Sequence, residues 1–262
     1  MIRKLRDNKY LISQLVKKSI KKRYQGSVFG MLWTWIVPIL MLTVYTFVFS
    51  VVFQARWGEN EIDKFQFALM MFCGLSVFNI ISDVMSRATV LIASNSNYVK
   101  KVIFPLELLP FVETCTALFF CIINLIILVL ARLVLYSKIS PFVPLVILAI
   151  VPVFLFAFGM GLLLSSISVY LKDIGSIISV IIMILMYMSP VFFSLSSVPE
   201  DFQIVCTVNP ITYMIENMRN ILLYDRPLDI CYYALSLVAA SIVYVIGYTV
   251  FKKAKGGFAD VV

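Results

Sequence analysis

The chain has 262 residues, of which 61% are apolar and 14% are charged, with a formal net charge of +8 and no histidine. Soluble globular proteins contain about 45–50% apolar and about 25% charged residues, and a water-soluble fold of this size cannot bury so much apolar surface. The composition therefore predicts a membrane protein that crosses the bilayer several times. The absence of histidine removes the commonest general base and the commonest metal ligand.

The N-terminal segment is basic and amphipathic. Residues 1–32 carry nine of the 22 Lys and Arg side chains. On a helix over residues 10–24, one half is apolar: Leu11, Ile12, Leu15, Val16 and Ile20. The other half is basic: Lys17, Lys18, Lys21 and Lys22. This pattern predicts a helix that lies on the membrane surface, and beside a span the positive charge marks the cytoplasmic side rather than a nucleic-acid site.

Six apolar stretches are long enough to cross about 30 Å of hydrocarbon as helices. We predict transmembrane helices at residues 33–53, 65–85, 106–136, 142–170, 174–193 and 230–251. In the fourth stretch, the small residues Gly159 and Gly161 predict close approach of a neighbouring helix.

The segment 194–229 is too long for a plain loop and too polar for a span. We predict that it forms a re-entrant helical hairpin on the external side. Its second helix begins at Asn209-Pro210, with an apolar face that includes Ile211, Met214, Ile215, Met218 and Leu222. Glu216, Asn217 and Arg219 are predicted to lie mostly on the opposite, polar face. The predicted fold class is thus an all-α integral membrane protein with six transmembrane helices, an amphipathic interface helix and this hairpin.

The distribution of basic residues predicts the orientation of the chain. With the N-terminus inside, the inner segments carry 16 Lys and Arg residues and the outer segments carry five. The positive-inside rule then places both termini in the cytoplasm.

Several kinds of chemistry are missing from the sequence. It contains neither a P-loop nor a Cys/His metal motif. The ionisable residues within the spans are few and lie near helix ends: Asp83, Glu107, Glu113 and Arg132. The chain therefore shows no energy source of its own, and a partner must supply one. The five cysteines are expected to be apolar fillers, or Cys206 and Cys231 could pair near the outer side.

Two segments are candidates for contact with a ligand or a partner. Tyr45, Phe49 and Phe53 recur every four residues on the first span, where they either stack on sugar rings or pack against lipid and helices. The segment 84–94, which is interrupted at Asn95 and followed by Lys100 and Lys101, is either a short surface helix that touches a cytoplasmic protein or a solvated connector.

Four motifs, in order, resemble one known family. Residues 22–33 read KRYQGSVFGMLW and are followed by Pro38, which is similar to that family's R-Y-x-x-S-x-x-G-x-x-W…P pattern at the first span. Ser86-Arg87 with residues 101–107, and residues 169–174 with Lys172 in place of Arg, match its inner segments. Ser189-Pro190 and Asn209-Pro210 resemble the boundaries of its external helices. The whole chain resembles the permease subunits of type-2 ABC exporters for lipid-linked polysaccharides, which include the O-antigen, capsule and teichoic-acid exporters.

The resemblance implies a homodimer in the inner membrane, bound to two copies of a separate ATP-binding subunit. The chain itself then binds no cofactor, because ATP and Mg²⁺ belong to that subunit. The cargo is a glycan on polyprenyl pyrophosphate, with Arg23, Lys21 and Lys22 at the pyrophosphate entrance and Tyr45, Phe49 and Phe53 lining the channel. The inner residues implied to couple the chain to the ATPase are Arg87, Asn95, Lys100, Lys101, Lys172 and Asp173.

Two other classes remain open from the residues alone. A membrane enzyme that acts on polyprenyl-linked sugars would share the substrate, but it should show acids or histidines clustered at the interface. A secondary transporter or channel would need internal repeats or polar groups near the bilayer midplane.

Overall fold

The protein is described by a computed structural model that covers residues 6–48, 64–100, 104–171 and 173–261. Every regular element within these ranges is a helix, so the predicted all-α fold class is confirmed. The longer helices are α1 (Lys9–Arg23), α2 (Trp33–Tyr45), α3 (Lys64–Leu91), α5 (Leu108–Tyr136), α6 (Val146–Ile167), α7 (Ile174–Met188) and α10 (Ile230–Ala254). The shorter helices are α4 (Ser96–Val99), α8 (Glu200–Val208), α9 (Pro210–Leu222) and α11 (Phe258–Val261).

Five helices in the described part of the chain are long and apolar enough to cross a membrane. They are Gly30–Val48, Phe65–Leu91, Leu108–Tyr136, Val143–Ile167 and Ile230–Gly257. Helix α7 has 15 residues, which is a length of about 22 Å at 1.5 Å per residue. It ends five residues before the predicted boundary, because Ser189 precedes a proline and adopts an extended conformation. The count of six spans therefore stays a prediction.

Helix α1 has the two faces that its sequence predicts. The apolar half is wholly or partly buried, with Ile20 the most enclosed residue, whereas the four lysines of the other half are exposed. The buried half packs against α5. The burial of this apolar half therefore follows from the same 3.6-residue period that was read from the sequence.

The prediction of a separate surface helix at residues 84–94 is wrong. Residues 84–91 form the last two turns of the 28-residue helix α3. The helix continues because residues 80–91 contain no glycine or proline. An ion pair between Asp83 and Arg87, four residues apart, spans the boundary expected at residue 84. The helix ends instead at Leu91, before a turn at Ala93–Asn95 and the short helix α4.

Helix α3 lies at the centre of the molecule, where it packs against α5, α6, α7 and α9. Its side chains over residues 67–73 are almost fully buried, and those of Met70, Met71 and Cys73 are completely enclosed. An apolar helix that is buried on all sides in this way is typical of the core of a helical bundle.

Helices α6 and α10 form the most extensive helix pair. A Cβ atom on Gly159 would lie 2.7 Å from the backbone of Tyr244, and one on Gly247 would overlap the Gly159 carbonyl. The predicted close approach at Gly159 is therefore confirmed, because only glycine leaves room for the two backbones.

The side of α9 that was predicted to be polar is buried as well. Asn217 and Arg219 are 2% and 0% exposed, because α9 is enclosed by α3, α6 and α10 and has no free side for them. Arg219 donates to the carbonyl oxygens of Met70, at 3.2 and 3.1 Å, and of Val191, at 3.0 Å. It also pairs with Glu216 at 2.8 Å. A buried guanidinium is tolerated here because its donors are satisfied by backbone and carboxylate oxygens.

The cysteines do not form the pair that the sequence left open. Cys206 and Cys231 are both free thiols, the first buried and the second exposed. Cys206 thus fits the apolar-filler alternative.

Candidate functional site

The candidate site is built around Arg23, the last residue of α1. Its guanidinium Nη2 donates to Asp83 Oδ2, and the same carboxylate accepts from Arg87 Nε at 2.9 Å through Oδ1. The guanidinium carbon of Arg23 also lies 4.3 Å from the ring centroid of Phe120 on α5. One carboxylate on α3 therefore links a residue of the surface helix to the residue one turn further along α3.

A cavity of about 560 Å³ opens beside this ion-pair cluster. Helices α2, α3, α5 and α7 form its walls, and Arg23 and Asp83 lie at its margin. Although these helices are apolar, the cavity has hydroxyl and amide groups in its wall: Thr34, Ser76, Asn79, Ser82, Ser86, Asn124 and Ser179. Such groups can hydrogen-bond to the hydroxyl groups of a polar ligand.

Two polar atoms near this cavity are buried without a hydrogen-bond partner among the described residues: Arg23 Nε and Thr34 Oγ1. Arg23 is thus only partly satisfied, since its Nη2 is paired and its Nε is not. Two arginines share one carboxylate, so the cluster keeps a net positive charge. It can therefore accept an anion that is more highly charged than Asp83.

Lys21 and Lys22 surround Arg23 differently. Both lysines are exposed, and neither forms an ion pair among the described residues. Both lysines border the basic outer groove of α1, and Lys22 also lines a second cavity with Asn95. Arg23 is therefore half-buried and paired with Asp83, whereas its neighbours Lys21 and Lys22 are exposed.

Tyr45 is the one member of the predicted aromatic stripe within the described residues, and Phe49 and Phe53 lie outside them. Tyr45 is half-buried against the core. It borders a small cavity of about 100 Å³ that shares Ser76, Asn79 and Asn124 with the larger cavity. The ring therefore lies next to the polar space rather than on an outer face.

The residues predicted to couple with an ATPase lie at helix ends. Arg87 is 43% exposed on the last turns of α3, Lys100 is exposed directly after α4, and Asp173 is exposed directly before α7. Asn95 is turned back on the chain, with its amide donating to the Leu91 carbonyl at 2.8 Å. Lys101 and Lys172 lie outside the described residues.

Two of these segments meet. A Cβ atom on Gly175 would lie 3.6 Å from Thr89 Oγ1. Gly175 and Thr89 are each two residues beyond a predicted coupling residue, Asp173 and Arg87. The end of α3 and the start of α7 therefore form one continuous surface.

Asp83 is the central residue of the site that the sequence does not predict, because from the sequence it is only an ionisable group near a helix end. Its four-residue spacing from Arg87 is the signal that could have found it. Asn79 and Asn124 were missed because single amides within apolar stretches carry no pattern.

The sequence matches known proteins over most of its length. Residues 10–223 match the profile of the ABC-2 type transporter family. The chain is 26% identical over 253 residues to an O-antigen export system permease protein RfbA of Klebsiella pneumoniae, which covers 96% of this chain and 94% of that protein. It is also 26% identical over 247 residues to a protein of the same name from Myxococcus xanthus, covering 93% and 91%.

The family match fits the molecule described above: an all-helical chain with several apolar helices, a polar cavity between them and no P-loop in its sequence. It confirms the resemblance drawn from the four motifs. The chain belongs to the ABC-2 type transporter family and is the membrane subunit of a transporter rather than an enzyme.

Proposed function

We propose that this chain is the channel-forming subunit of an ATP-driven exporter that moves polyprenyl-pyrophosphate-linked polysaccharide of the O-antigen type across the cytoplasmic membrane. The observation that carries the proposal is the full-length similarity to the O-antigen export permeases, since 96% of this chain aligns with 94% of the relative. The polar cavity beside Arg23 supports it, because a glycan needs hydrogen-bonding groups along its path.

The pyrophosphate of the cargo is proposed to bind first at Arg23. In the structure Asp83 accepts from Nη2 of this guanidinium, and Nε has no acceptor among the described residues. A phosphate group offers more charge and more acceptor oxygens than the carboxylate, and arginine can bind it through two parallel hydrogen bonds. The pyrophosphate therefore displaces Asp83 from Arg23, while exposed Lys21 and Lys22 raise the local concentration of anions.

The glycan is proposed to pass along a path lined by Tyr45 and, in the undescribed continuation of the first span, by Phe49 and Phe53. Aromatic faces stack on sugar rings without reading one particular sugar. The position of Tyr45 on a small cavity that adjoins the larger polar cavity supports this role.

A second copy of the chain is proposed to complete this path. Helix α7, which lines the cavity through Ser179, also carries large exposed side chains, including Ile177, Val180, Ile184 and Tyr187. Helix α2 likewise exposes Ile39 and Leu40. This exposed apolar surface beside the cavity offers a second copy a face to pack against, which supports a homodimer with a central channel.

A separate ATP-binding subunit is proposed to drive transport and to hold ATP and Mg²⁺, so that this chain binds no cofactor. Its contact surface would consist of the inner helix ends: Arg87, Asn95, Lys100, Lys101, Lys172 and Asp173. The meeting of α3 and α7 near Thr89 and Gly175 supports one shared contact surface. Both termini then lie in the cytoplasm, as the 16 inner and five outer basic residues favour.

The test is to delete the gene for this chain in its own cell and to profile the glycans. Loss of the surface O-polysaccharide, with its polyprenyl-linked form accumulating inside, is the expected result, and the wild-type gene should restore export. Loss of a capsule or teichoic acid instead would overturn the O-antigen assignment. An unchanged glycan profile would overturn the export function.

A further inference from the structure

A second cavity, of about 380 Å³, lies between the surface helix α1, the turn before α4 and the first turns of α5. Its polar lining includes Lys18, Ser19, Lys22, Asn95, Tyr98 and Glu113. The apolar lining comes from Leu15, Leu91, Leu109 and Val112. This cavity is separate from the one beside Arg23, with which it shares no lining residue.

One carboxylate oxygen of Glu113 has no hydrogen-bond donor among the described residues. Its Oε1 accepts from the Ser19 hydroxyl at 3.1 Å, but its Oε2 is buried and has no hydrogen-bond partner among the described residues. A buried carboxylate oxygen left without a donor is costly. A ligand that brings an N–H donor to Oε2 would remove this cost.

Two lysines in the wall of the same cavity do not form an ion pair with Glu113. Lys18 and Lys22 are exposed, and neither lies within the 4.0 Å ion-pair distance of any acid in the described part of the chain. The cavity therefore presents one negative and two positive groups that remain apart. The complement of such a wall is a ligand with both charges, a cation at one end and an anion at the other.

The cavity lies where a membrane has its headgroups. Glu113 is the sixth residue of α5, about 8 Å from the start of that helix at 1.5 Å per residue. Ser19 brings the amphipathic helix α1 to the same depth, and a helix of this kind lies at the boundary between headgroups and acyl chains.

We propose that this second cavity binds the zwitterionic headgroup of a membrane phospholipid with a primary ammonium and a phosphodiester, as in phosphoethanolamine. The ammonium donates to Glu113 Oε2, and the phosphate lies against Lys18 and Lys22. A trimethylammonium headgroup has no N–H to donate, so the site distinguishes the two zwitterions. The bound lipid holds α1 against α5 at the inner surface.

The test uses the purified full-length chain in detergent and native mass spectrometry. Phosphatidylethanolamine, phosphatidylcholine and phosphatidylglycerol with identical acyl chains are added separately at equal concentrations. We expect the ethanolamine lipid to be retained about tenfold better than the choline lipid, the difference made by one charge-assisted hydrogen bond. Equal retention of the two would overturn the proposal.

Variants separate the two halves of the site. Glu113→Gln keeps the shape of the side chain, and it should reduce retention of the ethanolamine lipid to the level of the choline lipid. Lys18→Gln combined with Lys22→Gln tests the phosphate half on exposed positions and should weaken all three lipids. The control is Lys17→Gln combined with Lys21→Gln, which removes the same charge from residues of the outer groove that do not line the second cavity.

Two results would contradict the proposal at the level of these variants. Retention of the ethanolamine lipid that is unchanged by Glu113→Gln means that the carboxylate binds no ammonium. If that variant instead weakens only the binding of the ATP-binding partner, the cavity accepts a cationic side chain of a protein.

Discussion

Arg23 is held on one side by the Asp83 carboxylate and on the other by the face of Phe120. The pairing fixes the guanidinium at the edge of the polar cavity, and Asp83 is shared with Arg87. A phosphate that replaces Asp83 at Arg23 leaves this carboxylate to Arg87 alone. In the proposed function, a phosphate bound at Arg23 would therefore change the pairing of Arg87 near the end of α3 through this one carboxylate.

We expect Arg23→Lys to lower export about tenfold while the chain still inserts. Lysine keeps the charge but cannot donate two parallel hydrogen bonds to phosphate, and the loss of one charge-assisted bond corresponds to about that factor. Surface polysaccharide is measured in cells, with the amount of membrane-inserted protein determined in parallel. Lys21→Gln is the control and should export normally. Normal export by Arg23→Lys with a defect in the control would show that recognition is diffuse electrostatics.

Asp225 is a second carboxylate that binds two cations. It accepts from Arg132 Nη2 at 2.9 and 3.0 Å and pairs with Lys138 at 2.6 Å. Burial raises the pKa of Asp225, but the hydrogen bonds from Lys138 and Arg132 outweigh burial and hold it below the ordinary value of 3.8. Since the folded state has the lower pKa, the carboxylate stabilises the fold above pH 3.8 and this contribution is lost as the pH falls through the folded pKa.

The prediction is a pH-dependent difference between the wild type and Asp225→Asn. At neutral pH the wild type should have the higher unfolding temperature, and the gap should narrow as the pH falls below 3.8, because protonation of Asp225 then removes its contribution. Thermal unfolding in detergent across this range is the measurement. A gap that does not narrow as the pH falls through and below 3.8 would show that the ion pairs do not contribute.

At the scale of elements, Arg219 joins three parts of the chain. It lies on α9, and it binds the carbonyl of Met70 on α3 and that of Val191 just after α7. Gly74 makes this possible, because a Cβ atom there would lie 2.9 Å from Arg219 Nη2. The second helix of the hairpin is therefore tied to the central helix and to the segment that follows α7.

Arg219→Lys should destabilise the chain by about 2 kcal/mol. An ammonium keeps the charge but cannot reach two carbonyl groups and Glu216 at once, so at least one charged hydrogen bond is lost. The unfolding temperature in detergent is compared with that of Arg226→Lys, because Arg226 is exposed. Equal losses of stability in the two variants would show that Arg219 does not hold these three segments together.

At the scale of the whole molecule, the transport path and the source of energy are proposed to lie on different chains. The sequence has no P-loop, and the helix ends that carry Arg87 and Asp173 meet at one surface. In the proposed function, a movement imposed there would reach the cavity directly, since α3 and α7 both line it.

The double variant Arg87→Ala, Asp173→Ala should therefore export several-fold less, while the ATP-binding partner continues to hydrolyse ATP. Both activities are measured in vesicles that contain this chain and its partner. Lys253→Ala, which removes an exposed charge at the end of α10, is the control. Full export by the double variant would show that Arg87 and Asp173 do not take part in coupling to the ATP-binding partner.

The membrane class, the all-helical fold, the amphipathic α1 and the close packing at Gly159 could all be predicted from the residues. Composition reports how much surface must avoid water, and a 3.6-residue period reports which face of a helix is buried. Those are local properties. The boundary of α3 was harder to place, because an apolar helix continued into a polar segment without a breaking residue.

By itself the sequence determined that this chain is a helical membrane protein without a P-loop, and its ordered motifs indicated the transporter family. Only the tertiary structure decided which polar groups are paired. Asp83 binds Arg23 across 60 positions, and Arg219 binds the Met70 carbonyl across 149. The physical reason is that burying a charge is favourable only where partners converge on it, and that convergence depends on how the helices pack together.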